Sequence, residues 1–357
     1  MVAISPETIT RLEGDRTHRA RLVCFVLVAV LCASSLLSLG WGAAGTSLSR
    51  FLGDLLAGRE IALQDRIVIL DIRLPRLIMG ILVGAALAVS GAVMQGLFRN
   101  PLADPGLVGV SAGASLGAIS AIVLAGMLPA AVSGFFGWYL VPVAAFVGGW
   151  VSMMVLYRIA TRSGRTSIAT MLLAGIVLGA LTGAISGVLV YIADDSQLRD
   201  LTFWGLGSLA GSNWLKVMAA APVICAALAF APLLARGLNG LALGEAAAGH
   251  IGIRVQKVKN LSILTVAAST GAAVAASGGI GFVGIVVPHL LRLATGPDHR
   301  WLLINSGLLG ATMLILADIV SRTIIAPAEL PIGIITAILG GPVFLWILLH
   351  NRGIVDL

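Results

Sequence analysis

The sequence predicts an all-α, polytopic membrane protein with about ten transmembrane helices. Of its 357 residues, 58% are hydrophobic and only 11% are charged, whereas soluble proteins have about 25% charged residues. The charges leave long gaps, and a helix that crosses a bilayer needs about 20 largely uncharged residues. The uncharged stretches are 22–49, 77–98, 105–157, 166–193, 217–235, 260–291, 301–317 and 330–351. The composition therefore excludes a soluble domain, and 105–157 is long enough to cross twice.

The first apolar run follows Arg16, Arg19 and Arg21. It is longer than the roughly 7–15 apolar residues of a signal peptide, so we interpret it as an uncleaved first span. The ten predicted spans are 22–40, 74–97, 107–126, 138–157, 167–192, 215–235, 259–277, 280–294, 302–325 and 333–350. Segment 259–294 could be one helix or two, but 277–284 contains four glycines, which disfavour a continuous helix. We therefore predict two spans there.

Ten spans place both termini on one side of the membrane. That side carries 15 of the 23 basic residues, and an excess of Lys and Arg marks the cytoplasmic side. The net charge of +7 then reflects topology and not a nucleic-acid surface. The eight basic residues of the outer side are Arg50, Arg59, Arg66, Arg73, Arg76, Arg199, Lys216 and Arg322.

The connections are too short for a soluble domain. The longest, 41–73 and 236–258, have about 33 and 23 residues. We predict a cytoplasmic segment over 1–20 and a single transmembrane domain over 21–352, so any energy-coupling domain must belong to another chain.

Few residues offer chemistry within the membrane. Asp318 is the acid that looks most buried, and Arg322 lies one helical turn later, where it could form an ion pair; a proton relay is the alternative. No catalytic or phosphate-binding motif is present, and Cys24, Cys32 and Cys225 have no metal-ligand spacing. The sequence predicts neither an enzyme, nor a cofactor, nor a metal site. A gradient-driven secondary transporter remains an alternative at this point.

Glycines mark close helix crossings. Gly175, Gly179, Gly183 and Gly187 form one stripe along the fifth span, which either allows a second helix to approach closely or leaves room for a wide passage. The pairs Gly80/Gly84 and Gly113/Gly117 indicate close packing elsewhere in the bundle.

The cytoplasmic segment 241–254 is apolar and helix-forming, with breaks at Gly249 and Gly252. An exposed apolar helix on a loop predicts a docking element for a partner protein; an interfacial membrane helix is the alternative.

Eight motifs follow one another along the chain. They are Arg73-Leu-Pro-Arg76, Gly84-Ala-Ala-Leu-Ala-Val-Ser-Gly91-Ala-Val-Met-Gln95, Arg99-Asn-Pro-Leu-Ala-Asp-Pro-Gly106, Leu173-Ala-Gly175, Leu241-Ala-Leu-Gly-Glu245, Gly281-Phe-Val-Gly-Ile-Val-Val-Pro-His-Leu-Leu-Arg292, Ala317-Asp318 and Glu329-Leu-Pro-Ile-Gly333. Together they resemble the permease subunits of ATP-binding-cassette (ABC) importers for iron-siderophores, haem and cobalamin. The resemblance covers about residues 65–350.

The resemblance implies a type II ABC importer permease in a bacterial inner membrane. Its expected assembly is a homodimer with a central pathway, two cytoplasmic ATP-binding subunits and a periplasmic substrate-binding protein. Arg73, Arg76 and Arg322 are similar to the outer arginines that engage the binding protein, which would point Arg322 away from Asp318. The remaining carried-over residues are Leu243, Gly244, Glu245, Ala248 and Gly252 for ATPase coupling, and Asn100, Leu102, Ser167, Gly175, Gly179 and Gly183 for the pathway and its gate.

The outer connection Leu198-Arg-Asp-Leu-Thr-Phe-Trp-Gly-Leu-Gly-Ser-Leu-Ala-Gly-Ser-Asn-Trp214 resembles the haem-importing branch most. Haem is therefore the first expectation for the substrate, with cobalamin and ferric siderophores as alternatives. A pathway lined by Gly, Ala, Leu and Val would suit any large, mostly apolar chelate through weak contacts.

Overall fold

The chain forms a helical bundle in the computed structural model, which describes residues 16–42, 48–163 and 165–350. The α-helices are α1 (Thr17–Gly40), α2 (Leu48–Leu56), α3 (Leu63–Arg66), α4 (Leu74–Phe98), α5 (Val110–Leu124), α6 (Ala130–Phe136), α7 (Leu140–Ala160), α8 (Ile168–Ile192), α9 (Asp195–Gly205), α10 (Trp214–Phe230), α11 (Ala235–Ala242), α12 (Glu245–His250), α13 (Val255–Ser277), α14 (Val283–Thr295), α15 (His299–Ser321) and α16 (Ile332–His350). A π-helix (Ile67–Arg73) joins α3 to α4, and short 3-10 turns cover Pro105–Val108, Ala125–Met127, Gly137–Tyr139 and Ala231–Leu234. Two short antiparallel strands, β1 (Thr161–Arg162) and β2 (Arg165–Thr166), connect α7 to α8.

The helices confirm the predicted fold class. Within the described residues, eight helical segments are long and apolar enough to cross a membrane, and α14 and α16 are shorter apolar helices. Each of the ten predicted spans overlaps one of these ten segments. Helix α1 begins at Thr17, inside the segment 1–20 that we expected to precede the membrane; residues 1–15 of that segment lie outside the described part of the chain.

Helix α4 is the centre of the bundle. In the helical segment Leu63–Phe98, which contains α4, 89% of the residues in the most apolar stretch of 18 are buried, against 17% in α1 and in α8. The reason is that α4 is apolar on all sides and contacts α10, α13, α14 and α15. Its glycines allow these contacts: a Cβ atom on Gly84 would overlap the backbone of Gly310 in α15, and one on Gly91 would overlap Gly284 in α14. Cβ atoms on Gly113 and Gly117 would overlap Gly148 and Ala144 of α7 in the same way. The close packing predicted from the glycine pairs is therefore confirmed for Gly84, Gly113 and Gly117.

Helices α13 and α14 are separate, as predicted. Residues 278–282 between them are not helical, and Gly284 packs beside Gly91, two-thirds of the way along α4. With 13 residues, α14 is about 20 Å long, too short for the roughly 30 Å hydrocarbon core. It therefore begins at membrane depth and spans only part of the bilayer.

A glutamine of α4 completes the hydrogen bonding of α14. Pro288 has no N–H, so the carbonyl of Gly284 four residues earlier lacks its helical donor. Gln95 Nε2 lies 3.4 Å from Gly284 O and 3.2 Å from Ile285 O. A side chain of α4 thus satisfies a backbone group that lipid could not.

Candidate functional site

An ion-pair cluster joins the helix ends at the predicted outer face. Arg76 of α4 donates from Nε to Asp318 Oδ1 at 2.9 Å and from Nη1 to Glu329 Oε1 at 2.9 Å. Arg76 and Asp318 are buried, whereas the Glu329 side chain is 36% exposed. The cluster links α4, α15 and the connection to α16.

Arg322 belongs to the same cluster. Its Nε lies 3.7 Å from Asp318 Oδ2, and its Nη2 donates to Ser38 O at 2.6 Å. The expectation that Arg322 points outward was therefore wrong for this conformation, and the local ion pair first inferred from the spacing is present. The physical reason is Asp318, which is 3% exposed and would be a costly charge without cationic partners.

Arg73 caps the end of α1. Its Nη1 donates to the carbonyl oxygens of Leu39 at 2.6 Å and Gly40 at 3.3 Å, which are free acceptors at a helix C-terminus. The three predicted docking arginines, Arg73, Arg76 and Arg322, are each 8% exposed or less. They lie together, but within the subunit.

Helix α8 leaves most of its glycine stripe uncovered. Gly175 is buried, but a Cβ atom on Gly179, Gly183 or Gly187 would meet no atom within 4 Å among the described residues. Large apolar neighbours such as Val177 and Val188 are more than 60% exposed. This face can receive a second chain or border a passage.

The predicted gate residues lie on two connections at the other end of the bundle. Asn100 Oδ1 accepts from the N–H of Leu102 at 2.9 Å and forms a tight turn after α4. Ser167 caps α8, with its Oγ accepting from Thr170 N at 3.3 Å. Asn100 and Ser167 are exposed and Leu102 is partly buried.

Asp104 is a site residue that the sequence analysis missed. It lines a cavity of about 380 Å³ together with Thr270, Phe282 and Gly284, so the non-helical segment before α14 borders this cavity. Its Oδ1 accepts from Gly106 N at 2.7 Å. Burial raises the pKa of the Asp104 carboxyl, and the Gly106 hydrogen bond opposes this rise. Asp104 lies in the connection between two predicted spans, so its position in the sequence does not mark it as a buried acid.

The predicted coupling segment forms α11, a sharp turn and α12. Gly244 (φ +101°) and Gly252 (φ +83°) bound α12 in a region that side chains with a Cβ atom disfavour. Leu243 and Ile251 are 69% and 58% exposed at the two ends of α12, and Ala248 is fully buried. The segment thus offers an apolar tip supported from behind.

A buried lysine links this segment to the gate region. Lys259 Nζ lies 2.7 Å from Glu245 Oε1 of α12 and donates to Thr166 O at 2.8 Å. Gln256 adds two hydrogen bonds to Thr166, at 2.9 and 2.6 Å. Because Ser167 follows Thr166 and caps α8, these contacts join α12 to the start of α8. Lys259 gave no sequence signal beyond a basic residue at a span end.

Comparison with known proteins places this architecture in a family. The FecCD transport family model matches residues 12–350. The Hemin transport system permease protein HmuU of Yersinia pestis is 47% identical over 79% of this chain and 83% of its own length. The Cobalamin import system permease protein BtuC of Halobacterium salinarum is 43% identical over 79% of this chain and 73% of its own length. A Vitamin B12 import system permease protein of Klebsiella pneumoniae is 39% identical over 97% of this chain and 99% of its own length.

A solved structure supports the same relationship. It shows a transporter described as a metal-chelate type ABC transporter in an inward-facing conformation. It is 31% identical in sequence and aligns with a TM-score of 0.81 over 92% of this chain and 99% of its own.

Proposed function

The chain belongs to the FecCD transport family, the permease subunits of ABC importers, and from this we propose that it carries haem, or a related chelate, inward across the bacterial inner membrane by alternating access. It is a transport component and not an enzyme, and permeases of this family work with ATPase and substrate-binding partners. The observation that carries the proposal is the contact route from α12 through Lys259 and Thr166 to α8. That route joins an exposed apolar tip, suited to a cytoplasmic ATPase, to the helix with the uncovered glycine face.

We propose that two copies assemble through the α8 side, with the pathway between them. The uncovered positions Gly179 and Gly183, with the apolar side chains around them, support this arrangement. Gly175, which is buried within the subunit, would then set the position of α8 instead of lining the passage. Asn100, Leu102 and Ser167 would form the inner gate.

The distribution of basic residues supports an orientation with both termini in the cytoplasm. In that orientation α12 faces the ATPase and the Arg76–Asp318 cluster lies at the periplasmic face. Among the coupling residues, Leu243 would make direct contact, Glu245 would anchor α12 to Lys259, and Gly244, Ala248 and Gly252 would set its shape.

Arg73, Arg76 and Arg322 remain the proposed docking region for the binding protein. Their burial supports a role in which they hold the ends of α1, α4 and α15 in register, with Glu329 as the exposed member of the cluster. Docking would then depend on the shape of this face as well as on its charge.

Haem is the first candidate substrate, supported by the outer connection 198–214 and by the similarity to the hemin permease. Cobalamin is a second candidate because two of the similar permeases are named for cobalamin or vitamin B12 import. A pathway lined by Gly, Ala, Leu and Val would accept either chelate through weak contacts, and the binding protein would make the choice.

The decisive experiment reconstitutes the permease with its ATPase and binding protein in liposomes. We expect uptake of haem that requires ATP and persists when a protonophore collapses the proton gradient. Uptake of cobalamin or a ferric siderophore in place of haem would reassign the substrate. Uptake that needs a gradient but no ATP would contradict the importer assignment.

A further inference from the structure

A basic cavity at the α12 end of the bundle is not used by the transport route. It has a volume of about 610 Å³ and lies between the start of α1, α11 and the turn from α14 to α15. Arg16, Asn239, Arg292, Asp298 and Trp301 are among its lining residues. Its volume is within the range of about 300–1,000 Å³ that ligand pockets occupy.

Arg292 brings an unbalanced positive charge to this cavity. Its Nε is buried without a hydrogen-bond partner among the described residues, and no described carboxylate lies within ion-pair distance of it. Its one polar contact there is a 3.5 Å approach of Nη2 to His299 Nε2. A guanidinium that is partly removed from water and has no counter-ion is costly, so the site favours an added anion.

The polar neighbours do not supply that anion. Asn239 Oδ1 lies 2.8 Å from His299 Nδ1, which makes Nδ1 the donor and leaves Nε2 as a neutral acceptor facing Arg292. Among the described residues that line the cavity, Asp298 is the one acid, and its Oδ1 already accepts from Asn239 Nδ2 at 2.7 Å and from Arg300 N at 3.0 Å. Arg16, which also lines the cavity and is exposed, adds a second positive charge.

The surroundings indicate a lipid. The guanidinium of Arg21 lies 5.7 Å from the ring centroid of Trp301, and a tryptophan beside arginines is typical of the headgroup level of a membrane. Just beyond the cavity-lining residues of α1, Leu22 (58%) and Phe25 (75%) are exposed on the face of the helix that points away from Ala20. Lipid chains would therefore surround α1 immediately beyond the level of the cavity, which places the cavity at headgroup depth. Basic pockets between transmembrane helices on the cytoplasmic side bind anionic headgroups.

We propose that this cavity binds the phosphate headgroup of an anionic phospholipid through Arg16 and Arg292. The ligand class is phosphatidylglycerol or cardiolipin, with the phosphate between the two guanidiniums and the chains on α1. The lipid would fasten α1 to α11 and α15 beside the coupling segment. The assignment of this lipid to the cytoplasmic leaflet rests on the orientation given under Proposed function, but the binding of the lipid does not depend on that orientation.

The test is native mass spectrometry of the purified full-length permease, titrated in detergent with phosphatidylglycerol, with phosphatidylcholine or with inorganic phosphate. We expect one tightly retained phosphatidylglycerol per chain, no comparable retention of phosphatidylcholine and no displacement by millimolar phosphate. Arg16→Gln should weaken retention about fivefold, the loss that one basic contact predicts. Arg292→Gln should weaken it at least as much.

Arg19 and Arg300 are exposed and do not line the cavity, so they serve as controls. Arg19→Gln and Arg300→Gln should leave the retention of phosphatidylglycerol unchanged. Arg16 is exposed, so its variant will fold even if Arg292→Gln does not. Equal retention of both lipids, equal losses for all four variants, or occupancy by inorganic phosphate alone would overturn the proposal. Transport in liposomes is measured separately, so a failed substrate assignment would not affect this result.

Discussion

Asp318 shows how a single buried charge can organise one end of a membrane bundle. Its two oxygens face Arg76 and Arg322 at 2.9 and 3.7 Å, and Arg76 continues to Glu329. The two arginines and two acids balance in charge. Buried pairs of this kind stabilise little relative to an apolar core, but they make the removal of one partner costly.

Arg76→Ala is therefore expected to destabilise the subunit by about 3–5 kcal/mol. Glu329→Gln, which alters the partly exposed end of the same cluster, should cost at most about 1 kcal/mol. Thermal unfolding in detergent measures both. Similar melting temperatures for the two variants would mean that the cluster carries no such stability.

Asp104 predicts a dependence of stability on pH. Because burial raises the pKa of its carboxyl, the ionised form is penalised in the folded state; the penalty is absent below the unfolded pKa of about 3.9 and complete above the folded pKa. Asp104→Asn keeps an acceptor for Gly106 N and should raise the melting temperature at pH 8. That gain should shrink as the pH falls towards 4; a gain independent of pH would contradict the assignment.

At the scale of helices, glycines have two different roles that sequence spacing does not separate. Gly117 lies at a crossing with α7 inside the subunit, whereas a Cβ atom on Gly183 of α8 would meet no atom of the described residues within 4 Å. Both glycines belong to a four-residue repeat, and such a repeat indicates a smooth helix face but does not indicate which atoms cover that face.

Leucine substitutions distinguish these roles. Gly117→Leu should prevent folding of the subunit, because the new side chain would overlap the α7 backbone. Gly183→Leu should leave the subunit folded but abolish dimerisation or transport. Size-exclusion chromatography and uptake assays give the two readouts, and normal transport by Gly183→Leu would mean that this face contacts lipid.

The coupling segment 241–254 gives a prediction about how ATP hydrolysis is coupled to transport. Leu243→Asp should uncouple ATP hydrolysis from transport, because an aspartate in an apolar contact would be an unpaired charge costing several kcal/mol. His18→Asp, an exposed change at the start of α1 and outside the coupling segment, is the control for an added acid at this end of the bundle. ATPase activity and uptake in the reconstituted complex are compared; unimpaired coupling in Leu243→Asp would favour the interfacial-helix alternative.

Lys259 should also couple ATP hydrolysis to transport, but without contacting the ATPase. Lys259→Met keeps most of the side-chain volume but loses the contacts to Glu245 and Thr166. We expect ATPase binding to persist while uptake falls at least tenfold. Co-purification with the ATPase separates this result from simple misfolding.

At the scale of the whole molecule, the sequence predicted the spans well because charge gaps report bilayer crossings directly. The glycines of 277–284 also predicted the break between α13 and α14. The depth at which α14 begins was not predictable, because it depends on the contact between Gly91 and Gly284, which lie far apart in the sequence. Arg73, Arg76 and Arg322 were found by motif, but their burial follows from the positions of Asp318 and the end of α1. Asp104 and Lys259 were missed because their importance lies in tertiary partners.

Docking of the binding protein is a property of the assembled outer face. Arg73→Glu would place an acid against the C-terminal carbonyls of α1, so it should weaken both the binding-protein complex and uptake. Arg199→Glu, on the exposed surface of α9, is the control for outer charge alone. If docking relies on charge, salt weakens the wild-type complex; if Arg73→Glu binds as wild type does, with the same salt dependence, the arginines only hold helices.

The position of α4 has a consequence for how the protein is made. This helix leaves the ribosome early, but Gly84 and Gly91 contact Gly310 and Gly284, which are synthesised some 190 to 230 residues later. Until then its grooves must be filled by lipid or by temporary neighbours. The half-span α14 is also too short to enter the bilayer by hydrophobicity alone. Insertion of the chain and closure of its core are therefore separate events, and nascent chains that end before α15 would be in the membrane without a native centre, open to quality-control proteases.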